Sequence, residues 1–461
     1  MPRIEHVVVL MLENRSFDCM FGRLYPKSAA FDGLAGTETN PWHRPDGSVE
    51  QIAVWNSPTL SPEAAAIPDP DPGELFTDFH MQLFGLDGAP QPTMNGFVDN
   101  YMRQPLLDRP PDPRAVMHYF TPRQVPVISR LARSFGVSDR WHASAPCETW
   151  PNRYFAHCGT GGGFVNNERS RFPRRWPRPM PTIFRRLGKA GYSWKIYFHD
   201  LPQAATLFRL WLDIPTHFHL FEEEFARDAR SGRLPNYSFI EPRYYAHRLT
   251  NKVPNDQHPP HDIVYGEQLI AAVYNAVRGA PTWKRSLLIV TYDEHGGCFD
   301  HVPPPPAVPP GGPYPDGFPF DRYGVRVPAV IVSPFIAPGS VLRPPPPPAG
   351  KPPYPFDHTS IVATLEKLFD LAPPLTPRVA AAPDLLGALT LAEPDNDGPE
   401  RIVAHPRRPV MAETWAYARR PHNRLQRNLK SVRAGIPGRA ARAIAHGHRL
   451  HARLGSKTGG H

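Results

Sequence analysis

The sequence predicts an α/β fold, a three-layer αβα sandwich around a mainly parallel sheet, and three observations predict it. Short, near-continuous apolar runs alternate with segments of helical periodicity, as in sheets whose strands are buried on both faces. Hydrophobic residues make up 41% and aromatics 11% of 461 residues, ample for a large core and too much for a disordered chain. Prolines number 61, about 13% of the chain against a usual share of about 5%. So many prolines cannot sit inside helices or central strands, and they imply long, stiff loops around the core.

The elements follow in order. His6–Leu12 (HVVVLML) reads as a buried strand. Val125–Phe135 reads as a helix, followed by a short extended run from Val137 to Trp141. Ser193–Phe198 alternates like a strand. Across His261–Arg278 the residues Ile263, Leu269, Ile270, Val273 and Val277 mark the apolar face of a helix. Ser286–Tyr292 (SLLIVTY) and Val327–Val332 are buried strands, and Thr359–Leu371 is a helix. Two Pro-rich blocks, Val302–Pro319 and Arg343–Pro355, read as extended and solvent-exposed. Between His301 and Ala380 lie 23 of the prolines, which suggests walls or a rim of the site rather than linkers. No internal repeat occurs. In such sheets function sits beyond the carboxyl ends of the strands.

Charge divides the chain unevenly. The net +9 splits into a tail from Arg401 to His461, with 14 Lys/Arg against Glu413 alone, and a body near −4. The expected organisation is a catalytic domain over 1–395 and a basic extension over 396–461, with helix-forming patches at Pro421–Val432 and Gly438–Leu454. Three readings of the tail stand: a solvated extension, a contact for an anionic membrane surface, or a nucleic-acid contact. Each Lys/Arg near an anionic surface adds about 1 kcal/mol. Nucleic acid is disfavoured because no aromatic residue follows Tyr417. Four cysteines (Cys19, Cys147, Cys158 and Cys298) form no CxxC pair, so reduced thiols are expected rather than a zinc site. The run Val7–Leu12 is too short for a membrane span or a signal core. The sequence as given therefore reads as cytoplasmic.

Two strands end alike. Val7–Leu12 runs into Glu13-Asn14, and Leu287–Tyr292 runs into Asp293-Glu294. Carboxylates gathered this way repel one another unless a cation neutralises them. All-oxygen ligands favour a hard divalent ion such as Mg²⁺, Ca²⁺ or Mn²⁺. Taken singly, each pair is also an ordinary strand-end turn.

A third segment is Glu148-Thr149-Trp150-Pro151-Asn152-Arg153. Thr149 fits a nucleophile at a turn, with Asn152 and Arg153 orienting an oxyanion; it fits a helix N-cap equally well. A threonine hydroxyl needs activation, which a metal supplies. Three histidines have telling neighbours: His258 before Pro-Pro, His295 before Gly296-Gly297, and His358 after Asp357 at a helix start. Each is suited to a phosphoryl oxygen or a leaving group, and Asp357-His358 is also suited to capping.

These motifs, in this order, resemble the bacterial phosphoesterase family, which includes phosphatidylcholine-type phospholipases C and related acid phosphatases. The resemblance rests on Glu13-Asn14-Arg15-Ser16-Phe17-Asp18, Thr149-Trp150-Pro151-Asn152-Arg153, Asp293-Glu294-His295-Gly296-Gly297 and Asp357-His358-Thr359-Ser360, and runs from about residue 3 to about residue 390. It implies an alkaline-phosphatase-like core. It implies that Glu13, Asn14, Asp293 and Glu294 hold a divalent metal, with Zn added to the candidates. Thr149 would form a phosphothreonine, and His258 and His295 would serve the phosphoryl group and the leaving group. Asn152, Arg153, Asp357 and His358 would line the substrate site. The family often has Gly-Pro before the nucleophile, where this chain has Cys147-Glu148. It commonly has a His in the segment reading Asp71-Pro72-Gly73-Glu74-Leu75, for which His80 is the nearest candidate. Many members are exported, often by a twin-arginine signal, so a periplasmic or secreted location is the alternative to the cytoplasm.

The expected activity is metal-assisted hydrolysis of phosphate esters in two displacements, as a phospholipase C on phosphatidylcholine-type lipids. An acid phosphatase acting on monoesters is the alternative. A binding protein with a degenerate site and a basic tail is the non-enzyme alternative. Sulfatase chemistry is disfavoured because no Cys-x-Pro-x-Arg stretch occurs.

Overall fold

The computed structural model describes residues 4–104, 111–167, 180–347, 350, 352–436, 438, 441–442 and 444. Eight strands form one sheet: β1 (His6–Leu12), β2 (Gly136–Ser138), β3 (Trp194–Phe198), β4 (Phe218–Leu220), β5 (Tyr237–Ile240), β6 (Ser286–Tyr292), β7 (Ala329–Val332) and β8 (Ser340–Val341). Their order is β8-β2-β7-β6-β1-β5-β3-β4. β1 lies between β5 and β6, parallel to both, with Val9 opposite Phe239 and Ile289. β7 alone in this sheet runs antiparallel, against β6 and β2. The sheet is mainly parallel, as the alternating runs predict.

Val7 to Leu12 and every residue of β6 are buried, so both faces of the sheet centre are covered. Two helical groups cover it. One pairs α1 (Pro126–Ser134) with α3 (Ile263–Arg278). α1 starts on a proline, whose fixed φ suits a first turn. Its free backbone N–H groups at Val127 and Ile128 donate to Glu267 of α3 at 2.6 and 3.1 Å. Asp262 caps α3 by accepting from Val264 N at 2.8 Å. The other group pairs α2 (Thr149–Cys158) with α4 (His358–Leu368), and all ten residues of α2 are buried. The result is a three-layer αβα sandwich.

The last described stretch packs on this body. α5 (Met411–Arg419) lies against the turn Arg248–Thr250. α6 (Arg424–Gly435) puts Leu425, Leu429 and Val432 into the main core. Asn423 and Gln426 cap it reciprocally, at 2.8 and 3.1 Å. Most of the expected helical patch Gly438–Leu454 lies outside the described residues. No helix among the described residues is long and apolar enough to cross a membrane.

Candidate active site

β1 and β6 are adjacent and in register, with Leu12 opposite Tyr292, so Glu13-Asn14 and Asp293-Glu294 leave the sheet side by side. Asn14 turns into the left-handed region, φ 56°, and its N–H donates to Asp293 Oδ1 at 3.0 Å. Its side-chain amide donates to Glu74 Oε1 at 2.6 Å and to Glu294 Oε1. Two glycines make this closure possible. A Cβ on Gly296 (φ +60°) would lie 2.5 Å from the Asn14 carbonyl oxygen, and one on Gly297 (φ +66°) would lie 2.7 Å from Pro72 Cβ. The turn after His295 therefore lets the segment 71–74 close over the strand ends.

That segment supplies residues the sequence reading missed. Glu74 Oε1 lies 3.3 Å from His258 Nε2, and Asp71 Oδ1 lies 3.6 Å from His258 Nδ1. Asp71, Glu74 and His258 present ligand atoms within 4.8 Å of one another. Glu13 N donates to Asp256 O at 2.9 Å, which ties the His258 segment to the end of β1. His80 does not join them. It is exposed and lies against Phe84, 4.6 Å between ring centroids.

The electrostatics show an excess of negative charge. Burial pushes the Glu13 carboxyl well above its usual range; Arg153 pulls it back and Asp293 raises it again. Burial, then Glu74 and Asp293, does the same to Glu294, and burial with Glu74 does so to Asp71. Burial draws the His258 imidazole down, but Glu74 and Asp71 more than reverse it, so it is held protonated. Among the described residues, Glu13 Oε2, Asn14 Oδ1 and Asp293 Oδ2 are buried without a hydrogen-bond donor, and Arg153 Nε stands 3.6 Å from Asp293 Oδ2. Surplus carboxylates with orphaned oxygens are the donor set of a hard divalent cation. The residues present fit such an ion.

Thr149 opens α2, and Glu148, not Thr149, occupies the cap position. Its side chain is 1% exposed. Arg153 sits one turn on, so the two share a helix face. The Arg153 guanidinium donates to Met11 O at 3.0 Å and to Glu13 Oε1, and faces Asp293. α2 is thereby docked on the strand ends by the face that carries Thr149.

Four expected site residues hold other partners. Asn152 donates to Ala145 O and Cys147 O at 3.1 and 2.6 Å and accepts from Ala145 N at 3.1 Å. It braces the loop before Thr149, with both amide hydrogens directed at backbone carbonyls. Asp357 accepts from Ser144 Oγ and Thr359 Oγ1 at 2.7 and 2.6 Å. His358 Nε2 donates to Asp293 O at 2.6 Å, and its Nδ1 accepts from Trp141 Nε1 at 3.4 Å. Asp357 and His358 thus hold the scaffold of Asp293 and α4. His295 packs on Phe79, 4.3 Å between centroids, bonds Gln82 Oε1 at 2.8 Å, and is kept neutral by burial at about 3.

A second acidic group, Asp18, Asp300 and His301, also has ligand-like spacing. Arg326 already fills its centre, donating to Asp18 Oδ1 and to both Asp300 oxygens at 3.0–3.2 Å, and His301 pairs with Asp18. It latches the start of the Pro-rich block to the body.

A cavity of about 980 Å³ opens beside the strand-end site, lined by Asp71 and Glu74 on one side and by Asn423, Arg424 and Arg427 on another. The expected Pro-rich walls differ: neither block contributes a described residue to this lining, which comes mostly from residues 69–75, 245–248 and the C-terminal segment, with Asp78, Gln104, Asp200, Leu201, Pro254, Pro260 and His261. Val302–Pro319 is instead pinned on the segment after it, with Ala307 N donating to Asp321 O and Tyr323 N to Pro305 O.

The Phosphoesterase family model matches residues 4–372. The chain is similar to non-specific phospholipase C3 of Arabidopsis thaliana, 37% identical over 417 residues, covering 88% of this chain and 77% of the other. It is similar to non-specific phospholipase C1 of the same plant, 40% identical over 380 residues, covering 80% and 67%. With phospholipase C A of Mycobacterium tuberculosis it is 28% identical over 447 residues, covering 85% and 78%. A solved structure of an alkaline phosphatase superfamily protein from Vibrio parahaemolyticus matches 78% of this chain and 75% of that one at 11% identity and a TM-score of 0.35, which adds nothing to the fold read from the sheet itself. On the extent of the family match and the identity to these relatives, the chain belongs to the Phosphoesterase family.

Proposed function

We propose that this protein is a phospholipase C that cleaves phosphatidylcholine-type phospholipids on the glycerol side of the phosphate, releasing diacylglycerol. The observation that carries the reading is the buried acidic set at two strand ends, held beside the helix that begins at Thr149. The phospholipase C relatives support the diester over a monoester.

Glu13, Asn14, Asp293 and Glu294, joined by Asp71 and Glu74, are the residues that would hold a divalent cation, Mg²⁺, Ca²⁺, Mn²⁺ or Zn²⁺, with His258 beside them as proton donor. When bound, such an ion supplies Lewis-acid polarisation of a phosphoryl oxygen and eases loss of a hydroxyl proton. The Thr149 hydroxyl, its proton passing to solvent, attacks phosphorus in line with the departing glycerol oxygen, forming the Thr149 Oγ1–P bond as the glycerol O–P bond breaks. Arg153, whose Nη1 is buried without a hydrogen-bond partner among the described residues, donates to the charge gathering on the equatorial oxygens. Protonated His258 gives its proton to the leaving alkoxide. Water, giving a proton back to His258, then attacks phosphorus of the phosphorylcholine ester; the bond to Thr149 Oγ1 breaks, the hydroxyl regains a proton from solvent, and phosphorylcholine departs. Asn152, His295, Asp357 and His358 position these groups. The basic tail favours an anionic lipid surface.

The test is turnover of nitrophenyl phosphorylcholine against nitrophenyl phosphate, with and without chelator. The reading expects the diester to be preferred and its turnover lost on chelation. Turnover of the monoester alone would assign a phosphatase.

A further inference from the structure

Beside the cavity mouth the surface carries large apolar side chains that the fold leaves exposed. Leu249 is 88% exposed, Val410 61%, Met411 52% and Trp415 39%. They come from two segments held together. Asn251 Nδ2 donates to Pro409 O at 2.6 Å, and Thr414 Oγ1 donates to Asn251 Oδ1 at 2.7 Å. Met411, Trp415 and Arg419 recur at four-residue spacing on one face of α5. Guanidinium groups edge the patch: Arg248 lies 4.6 Å and Arg419 5.4 Å from the Trp415 ring. Arg408 is exposed just before Pro409. The patch is continuous with the site, because Arg248, Tyr417 and Arg420 also line the cavity that reaches Asp71 and Glu74.

We propose that the Leu249–Met411–Trp415 patch is a docking surface for an anionic phospholipid bilayer, with the apolar tips entering the boundary between headgroups and acyl chains. The choice of occupant rests on charge and composition. An indole flanked by arginines, with aliphatic tips beyond it, matches the headgroup layer. The local cations complement anionic lipid, and Arg408 and Arg419 lie in the segment that carries the chain's excess of positive charge. The proposal rests on the phospholipase reading for its purpose, since docking here presents the cavity mouth to the bilayer.

The test uses the full chain and two double variants, Leu249→Asp/Met411→Asp and Arg408→Glu/Arg419→Glu. Sedimentation is measured with vesicles of phosphatidylcholine containing phosphatidylserine, and turnover is measured on soluble nitrophenyl phosphorylcholine. Each variant is expected to bind the vesicles at least about tenfold more weakly, with soluble turnover unchanged. Leu249→Ser alone, at the most exposed position, serves if the double aspartate does not fold. Vesicle binding equal to wild type in these variants overturns the proposal. So does a concentration-dependent dimer that the Leu249 variant abolishes while vesicle binding persists, which would assign the patch to a second copy. Failure of the phospholipase reading has a separate signature: the wild type would bind vesicles yet leave the soluble diester intact.

Discussion

Arg424 Nε lies 2.9 Å from Glu148 Oε1, an ion pair that ties the cap of the Thr149 helix to the C-terminal segment. One residue earlier, Asn423 Nδ2 lies 3.4 Å from His258 Nδ1. The strongly basic end of the chain is therefore built into the wall of the site. Arg424→Ala leaves the buried Glu148 carboxylate with less compensation. Because Arg424 is itself over a third exposed, the expected stability loss is only about 1 kcal/mol. Turnover is expected to fall about tenfold through misplacement of α2. Thermal melts and diester kinetics check both.

Glu74 joins Asn14 to His258. Glu74→Gln is expected to weaken divalent-ion binding about tenfold to a hundredfold. Metal titration followed calorimetrically measures this without reference to activity.

Asn152 holds both the N–H and the C=O of Ala145 and the C=O of Cys147. Asn152→Ala strands these buried groups and is expected to cost about 1–3 kcal/mol. If its role is to position Thr149, kcat falls while KM for the soluble diester changes little. A large rise in KM with kcat unchanged would return Asn152 to substrate binding.

His301 illustrates a pH dependence away from the site. Burial pulls its imidazole down, but Asp18 and Asp32 at its two ring nitrogens outweigh that and raise the pKa to about 9. A folded-state pKa above the unfolded value of about 6.5 gives stability that is full below about pH 6.5 and lost as pH rises through about 9. Melting temperatures followed from pH 6 to 10 should fall more steeply in wild type than in His301→Gln.

The strand ends were legible because β1 and β6 are unbroken apolar runs that stop at polar pairs, and adjacency in a parallel sheet does the rest. β5, the other neighbour of β1, escaped notice because YSFI is four residues long and flanked by prolines at 235 and 242. Asp71 and Glu74 were not legible as site residues. They lie in a proline-punctuated segment without regular structure, which reaches the strand ends through tertiary contacts with Asn14, Gln82 and Tyr101 and through the room left at Gly296-Gly297. His80 was the nearest residue of the sought type, but it faces solvent from the helix Phe76–Phe84. The residue types at Asn152, Asp357 and His358 suit substrate contact and scaffold bracing alike, and only their partners distinguish the two.

The central claim is that Thr149 is the nucleophile of a phosphodiester hydrolase. The most direct measurement is acid-quench mass spectrometry of the enzyme during turnover of nitrophenyl phosphorylcholine, beside the kinetics of Thr149→Ala. The account predicts a phosphorylcholine adduct on the peptide carrying Thr149, absent from the variant, and turnover reduced at least about a thousandfold. A metal-loaded Thr149→Ala protein that turns over like wild type would contradict it.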